Sequence, residues 1–400
     1  MVTFEQAYEI ISTISVCPTR ETTSLRDALG RVLAQEIIAD ADLPAFDRSA
    51  MDGYACRLAD LDKPLTVLEV IAAGAWPTRE IGAGECAKIM TGAPTPKGAE
   101  LVIMVEDTLV NTDGTVSYTG KALPHTCDTA HKVPNNIRYC GEDLKAGDCI
   151  LGGGQIINPA IVASLATIGC THPEVFTRPK VAVISTGNEL VEPGMSLREG
   201  TIRNSNGPQL VAQLLQSGAE PIYMGIAPDD KEATAAMLQQ AMQQVDMILF
   251  SGGVSMGDFD FVPEVLVEAG FEIDFDSVAV QPGKPTLFAH KGAQFCFGLP
   301  GNPVSAYIQF ELLVTPLICR MSGHTIHTKD ILLPLADDFQ RSKAKRHSWI
   351  PVAIINGTIH KIRYNGSGHI SALAQADGFI SFPIGISHLK KGELTNVRQI

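Results

Sequence analysis

Ser251-Gly-Gly-Val-Ser-Met-Gly257-Asp-Phe-Asp260, Gln281-Pro-Gly-Lys284-Pro285 and Gly298-Leu-Pro300-Gly301-Asn302-Pro303-Val-Ser305 crowd into one stretch of the chain. Each follows an apolar run that reads as a buried strand: Met247–Phe250, Ser277–Val280 and Phe295–Phe297. Two of the three lead into helical patterns. Strand, glycine turn and helix in that order aim backbone N–H groups and a helix dipole at an anion. Three such turns close together predict one phosphate-binding cleft, with Lys284 as a point charge inside it. Its ligand-binding candidates are Ser251, Gly252, Gly253, Ser255, Pro300, Gly301, Asn302 and Pro303, the two prolines shaping the turn and helix start rather than donating. Taken singly, a Gly-Gly after a strand is a tight turn, and Asn302-Pro303 is a helix start with an N-cap and an N1 proline. The acidic company of the turns argues for more. Asp258 and Asp260 sit beside the first turn, and Asp229-Asp230 ends another apolar run. Carboxylates beside a phosphate cradle repel the ligand unless a divalent cation lies between them, which points to magnesium.

The rhythm around this stretch is α/β. Val181–Ile184 reads as a strand, Gly207–Gln216 as a helix, Pro221–Ile226 as a strand and Lys231–Gln244 as a helix. Such alternation predicts a mostly parallel α/β sandwich over residues 179–328. Ligands of such sheets bind outside the carboxyl ends of the strands. Ser185-Thr-Gly-Asn-Glu189, Asp229-Asp230 and Ser251-Gly-Gly all fall there.

Upstream, residues 3–15 predict an amphipathic helix, with Thr3 and Gln6 at capping-box spacing and Phe4, Ala7, Ile10, Ile11 and Ile14 on one face. A short helix is expected to end near Gly30, and Val32–Ala39 reads as a strand. Residues 1–46 form this N-terminal helix, expected to pack on the α/β domain, and a connector segment. Residues 47–146 are a small, mostly β module, with Val67–Ala72, Glu85–Met90 and Leu101–Val105 its clearest strands. Residues 147–178 are the second segment of a small α/β connector, whose helix carries Asn158 at the N-cap, Pro159 at N1 and Gly169 past its end. Residues 329–400 return to strands, Ile331–Leu335, Trp349–Ile355, Thr358–Tyr364 and Asn396–Ile400, in an expected C-terminal β-barrel. The fold class is thus α/β multidomain.

Bulk properties narrow the function. Four hundred residues with 45% hydrophobic content make a multidomain protein with a sizeable core. A formal net charge of -13 argues against nucleic acid or an anionic membrane as the main partner. Nine scattered cysteines without a C-x-x-C pair indicate neither a zinc site nor a disulfide framework. Glu5 and Glu9 interrupt the N-terminus, so no signal peptide is expected, and no unbroken apolar run reaches membrane-spanning length. A cytoplasmic protein is the economical reading.

Together the motifs resemble those of the molybdopterin molybdenumtransferase family, bacterial molybdenum-insertion enzymes related to the E domain of gephyrin. The resemblance rests on Pro44–Ala55, Met90-Thr91-Gly-Ala-Pro94, Gly141-Glu-Asp143 and Ser185-Thr-Gly-Asn-Glu-Leu190, joined by the three glycine-rich turns, in order over nearly the whole chain. It implies insertion of molybdate into adenylylated molybdopterin with release of AMP, dependent on Mg2+. It also implies an elongated homodimer of four-domain subunits, its cleft shared between the molybdopterin-binding α/β domain of one subunit and the β module of the other. Molybdopterin adenylyltransferase, and molybdoenzymes or their chaperones, are the implied partners.

Glu189, Asp229 and Asp260 are the candidates for metal and pyrophosphate chemistry, Glu189 also being catalytic. Asp52, Thr91 and Asp143 match family positions on the β module, and Arg346 and Ser367 align with a polar site in the tail. The pattern departs at Gln281, where the family usually has lysine, removing a positive charge from the anion site. Asn188, where many relatives have aspartate, lies within the family's range. Two alternatives stay open: a non-catalytic scaffold of the same fold, and a molybdopterin adenylyltransferase, which shares the α/β domain but lacks the β module and tail.

Overall fold

The computed structural model describes residues 1–120, 135–255, 257, 260–325 and 330–400. Asp258 lies outside the described residues. The chain divides into two units, one of residues 1–35, 153–163 and 171–400, the other of 36–152 and 164–170.

In the first unit the alternation after Pro179 becomes a six-stranded sheet. Its elements are β1 (Lys180–Thr186), α1 (Asn206–Gln216), β2 (Glu220–Ala227), α2 (Lys231–Met242), β3 (Met247–Ser251), α3 (Val262–Glu268), β4 (Glu272–Phe275), β5 (Leu287–Lys291), β6 (Gln294–Leu299) and α4 (Pro303–Gln309). The strand order is β2-β1-β3-β6-β5-β4. The first four strands are parallel, and β5 and β4 add antiparallel ladders at one edge. Side chains of β1 and β3 alternate between two cores, as the period of a strand requires. Val181, Val183, Met247 and Leu249 pack on one face with Leu210 and Leu214 of α1. Ala182, Ile184, Ile248 and Phe250 pack on the other with Leu238 of α2 and Val265 of α3.

The predicted N-terminal helix forms over Phe4–Thr13 with both bonds of the Thr3/Gln6 capping box, and Ala7 and Ile11 join the α1-side core. Helix α4 runs on through a π-helical turn, Phe310–Val314, into a further helix, Thr315–Met321. This 19-residue span is long and apolar enough to cross a bilayer, yet 72% of its most apolar 18-residue stretch is buried inside the fold, as in a core helix.

The tail departs from the expected barrel. Its strands follow the order Val280–Gln281, His347–Ile355, Gly378–Phe382, Leu394–Gln399, Asp330–Pro334, with Thr358–Lys361 beside His347–Ile355. Among the described residues the two sides meet only at an isolated Leu335–Ile359 bridge, so no continuous ladder closes the sheet. Strand Gly378–Phe382, unforeseen from the sequence, lies between two of the expected ones. The run Ser277–Val280 also differs from expectation. It contributes a two-residue strand, Val280–Gln281, that pairs with His347–Ser348 of the tail rather than with the α/β sheet.

The second unit holds a four-stranded sheet in the order Thr66–Ile71, Glu85–Ile89, Gly53–Cys56, Leu101–Met104. Gly53–Cys56 is buried throughout, Tyr54 and Cys56 facing one small core and Ala55 the other. A Cβ at Gly53 would lie 1.9 Å from the Ile103 carbonyl oxygen, so glycine alone fits this crossing. The segment Val32–Ala39 is less regular than expected, forming strand only at Ile37–Ile38, and turns rather than a helix precede Gly30.

Candidate active site

Parallel pairing brings three chain turns together at the carboxyl ends of the strands of the α/β sheet. Ser185 of β1 registers with Ser251 of β3, and Ser251 with Leu299 of β6. Beyond these residues lie Gly187–Glu189, Gly252-Gly253 and Pro300-Gly301. Gly252 and Gly253 have φ of +91° and +68°. A Cβ on them would stand 2.7 and 2.9 Å from the Thr186 hydroxyl, so these positions demand glycine for conformation and for space. Asn206, at the start of α1, ties two of the turns together. Its Nδ2 donates to Ser251 Oγ at 2.7 Å and to the Gly301 carbonyl at 2.8 Å.

The turns enclose a cavity of about 300 Å3 lined by Glu189, Asp229 and Asp260 together with Gly252, Gly253 and Ser255. Asp229 and Asn188 clasp each other: Asn188 N–H donates to Asp229 Oδ2 at 3.0 Å, and Asp229 N–H to Asn188 Oδ1 at 3.2 Å. Asp260 Oδ2 accepts the Gly257 N–H at 2.7 Å. Asp230, by contrast, caps α2 by accepting the Ala233 N–H at 2.8 Å. The Thr186 hydroxyl is buried without a hydrogen-bond partner on the same wall. These carboxylate and hydroxyl oxygens suit a hard cation that keeps several waters and takes few protein ligands. Among the described residues, no three acidic, histidine or cysteine side chains converge closely enough to hold a metal by themselves.

A second cavity, of about 510 Å3, abuts the first, and Pro285 and Pro300 line both. Its character is cationic. Gln281, Lys284, Asn302, Arg346 and Ser367 line it, as do Arg341 and Lys343, which motif matching missed. The tail reaches this cavity because Val280–Gln281 pairs with His347–Ser348, carrying the Gln281–Lys284 turn alongside Arg346. Arg346 Nη1 donates to the Val280 carbonyl at 3.2 Å. Arg341 has a different part, its guanidinium being spent on the Ile386, Arg346 and Pro383 carbonyls and Ser348 Oγ.

Ser251 and Pro303 line neither cavity. Ser251 is 2% exposed and serves as the acceptor of Asn206. Asn302 occupies the N-cap of α4 but makes no side-chain capping bond. The Val304 N–H of that first turn is already given to the Ser367 carbonyl at 3.0 Å.

In the second unit, Asp52 and Thr91 meet. Thr91 N–H and hydroxyl both donate to Asp52 Oδ1, each at 2.7 Å. These bonds, the backbone N–H foremost, hold the Asp52 carboxyl below its ordinary range. Asp143 is paired with Arg138.

Comparison with known proteins fits this arrangement along the whole chain. The MoeA N-terminal region (domain I and II) matches residues 2–169, a probable molybdopterin binding domain residues 182–320, and the MoeA C-terminal region (domain IV) residues 333–400. The molybdopterin molybdenumtransferase of Bacillus subtilis (strain 168) is 35% identical over 390 residues, covering 94% of this chain and 89% of that protein. The chain belongs to the molybdopterin molybdenumtransferase family. The molybdopterin molybdenumtransferase of Staphylococcus aureus (strain Mu50 / ATCC 700699) is 33% identical over 387 residues, covering 94% of this chain and 90% of that protein. The crystal structure of a molybdopterin biosynthesis MoeA protein from Pyrococcus horikoshii OT3 superposes with a TM-score of 0.84 at 29% identity, over 100% of both chains. In this member of the molybdopterin molybdenumtransferase family, the signal for Asn206 was present in sequence only as an ordinary helix-start residue. Arg341 and Lys343 carried no motif at all.

Proposed function

We propose that this chain inserts molybdate into adenylylated molybdopterin. An oxygen nucleophile, from water or molybdate, forms the new P–O bond as the phosphoanhydride between the pterin phosphate and AMP breaks, so that AMP and the molybdenum cofactor are released. It is a transferase of molybdenum cofactor biosynthesis. The observation that carries the reading is the pair of adjoining cavities, one acidic and one cationic, at the carboxyl ends of parallel strands. Lys284, Arg346 and the neighbouring hydroxyl of Ser367 would hold the anionic groups of the substrates. Glu189, Asp229 and Asp260 would hold Mg2+, which when bound spreads charge from the phosphoanhydride oxygens. The glycine turns keep side chains out of the space where a phosphate must approach backbone.

The same reading divides the chain into segments 1–46, 47–146, 147–178, 179–328 and 329–400. It also makes the enzyme a cytoplasmic homodimer in which Asp52, Thr91 and Asp143 of one subunit complete the cleft of the other. Matches over 94% of the chain to proteins named as transferases favour neither a scaffold nor the adenylyltransferase, whose likeness would end with the α/β domain. Product analysis with adenylylated molybdopterin, molybdate and Mg2+ tests it: AMP and molybdenum cofactor are expected together. Full activity after chelation, or with unadenylylated molybdopterin at micromolar molybdate, contradicts it.

A further inference from the structure

A third cavity, of about 420 Å3, shares no lining residue with the other two. Its volume lies in the range of small-molecule sites, roughly 300–1,000 Å3. Three buried polar atoms without a hydrogen-bond partner belong to its lining residues: Arg31 Nε, Thr315 Oγ1 and Ser322 Oγ. Ser322 is 7% exposed. A buried donor left unpaired costs about 1–3 kcal/mol, so three on side chains that line one space favour an acceptor there, reached by rotation of those side chains.

Charge points the same way. Arg31, Arg178 and Arg398 line the cavity, against Glu311 and the main-chain carboxylate of Ile400, in a chain of formal charge -13. Burial pushes the Glu311 carboxyl above its ordinary range, opposed by the bond that its Oε1 accepts from Gln213 Nε2 at 2.6 Å. Arg31 is paired with Glu21, and Arg398 with Asp330 at 3.3 Å, neither partner facing the cavity. The surplus of positive charge is therefore small, which suits a monoanion better than a polyphosphate. Ile156, Phe176 and Pro316 supply apolar wall. Glu311 is presented by the π-helical turn Phe310–Val314, a rare local widening frequent at functional sites.

We propose that this cavity is a second ligand site, taking a small organic monoanion with one carboxylate and a compact apolar body. The Arg31 Nε–H and the Thr315 and Ser322 hydroxyls would meet the carboxylate, and the apolar wall the body. The proposal stands apart from the transferase chemistry.

Calorimetric titration of the full chain tests it, with benzoate as the probe and inorganic phosphate in parallel. Benzoate should bind saturably at one site per chain and more tightly than phosphate. Thr315→Val and Ser322→Ala remove hydroxyls that bond nothing within the fold, so both variants should fold. Each should weaken benzoate roughly fivefold or more while leaving AMP release unchanged. Arg31→Met should abolish binding; if it fails to fold for want of its Glu21 and Phe176 bonds, the two hydroxyl variants still decide. Absence of saturable benzoate binding at about 10 mM overturns the proposal. So does preference for phosphate, or benzoate binding that the hydroxyl variants leave untouched, which would assign the anion to the cationic cavity.

Discussion

Gln281 stands where the family resemblance calls for lysine, and the structure puts it on the lining of the cationic cavity, exposed beside Lys284. Gln281→Lys should therefore tighten the binding of molybdate or of the adenylylated pterin. One added cation near a half-buried anion contributes on the order of 1 kcal/mol, several-fold in affinity. Equal half-saturation of wild type and variant for both substrates would show that the position does not sense the ligand. Asp52 supplies a pH prediction. Its carboxyl is lowered from the ordinary 3.8 by Thr91, so whatever stability ionised Asp52 lends is present above that value and fades as pH falls through the lower folded value. Thr91→Val keeps the N–H but loses the hydroxyl. Carbon-detected NMR titration should then show the Asp52 midpoint moving up, toward but not to the ordinary value. An unmoved midpoint would mean the hydroxyl bond is absent in solution. At this scale Glu189, Asp229 and Asp260 were legible as acids at strand ends, but their shared cavity was not, since sequence carries no distances. Arg341 and Lys343 were illegible because cations in a loop read as solvated surface.

Elements were read best where local chemistry alone fixes them. The Phe4–Thr13 helix announces itself through Thr3 and Gln6, and the helix Pro159–Thr167 through Asn158, whose Oδ1 accepts the Ile161 N–H at 2.9 Å. The strands β1 and β3 show as unbroken apolar runs because both faces are buried. Gly378–Phe382 escaped notice: it is five residues long, opens with glycine and is buried on both faces, so no alternation marks it. Pairing of Val280–Gln281 with His347–Ser348 is a long-range event that no local pattern encodes. The clamp from α1 carries a prediction at this scale. Asn206→Leu strips the donor from buried Ser251 Oγ and from the Gly301 carbonyl, and should cost about 1–3 kcal/mol in urea unfolding. It should also slow AMP release by loosening the two turns. A variant with wild-type midpoint and rate would show that the turns hold themselves.

For the whole molecule, the account requires clefts built across a homodimer. If each takes Glu189 from one subunit and Asp52 from the other, Asp52→Asn and Glu189→Gln should rescue one another. Unfolding and remixing the two in equal amounts makes about half the dimers mixed. Each mixed dimer has one cleft with both lesions and one with neither, so activity should return to about a quarter of wild type. Confirmed heterodimers that stay at the mutants' background would place both residues in one subunit's cleft, or Asp52 outside it.

The central claim is that cleavage of the adenylylated pterin is coupled to molybdate uptake in the paired acidic and cationic cavities. It is tested most directly by the initial rate of AMP release, measured against molybdate concentration with adenylylated molybdopterin and Mg2+ saturating. The account predicts negligible release without molybdate and a saturable rise with it. Arg346→Ala should shift that curve to higher molybdate, and Glu189→Gln should lower its plateau. Release at the full rate without molybdate, or curves unchanged in both variants, would contradict it.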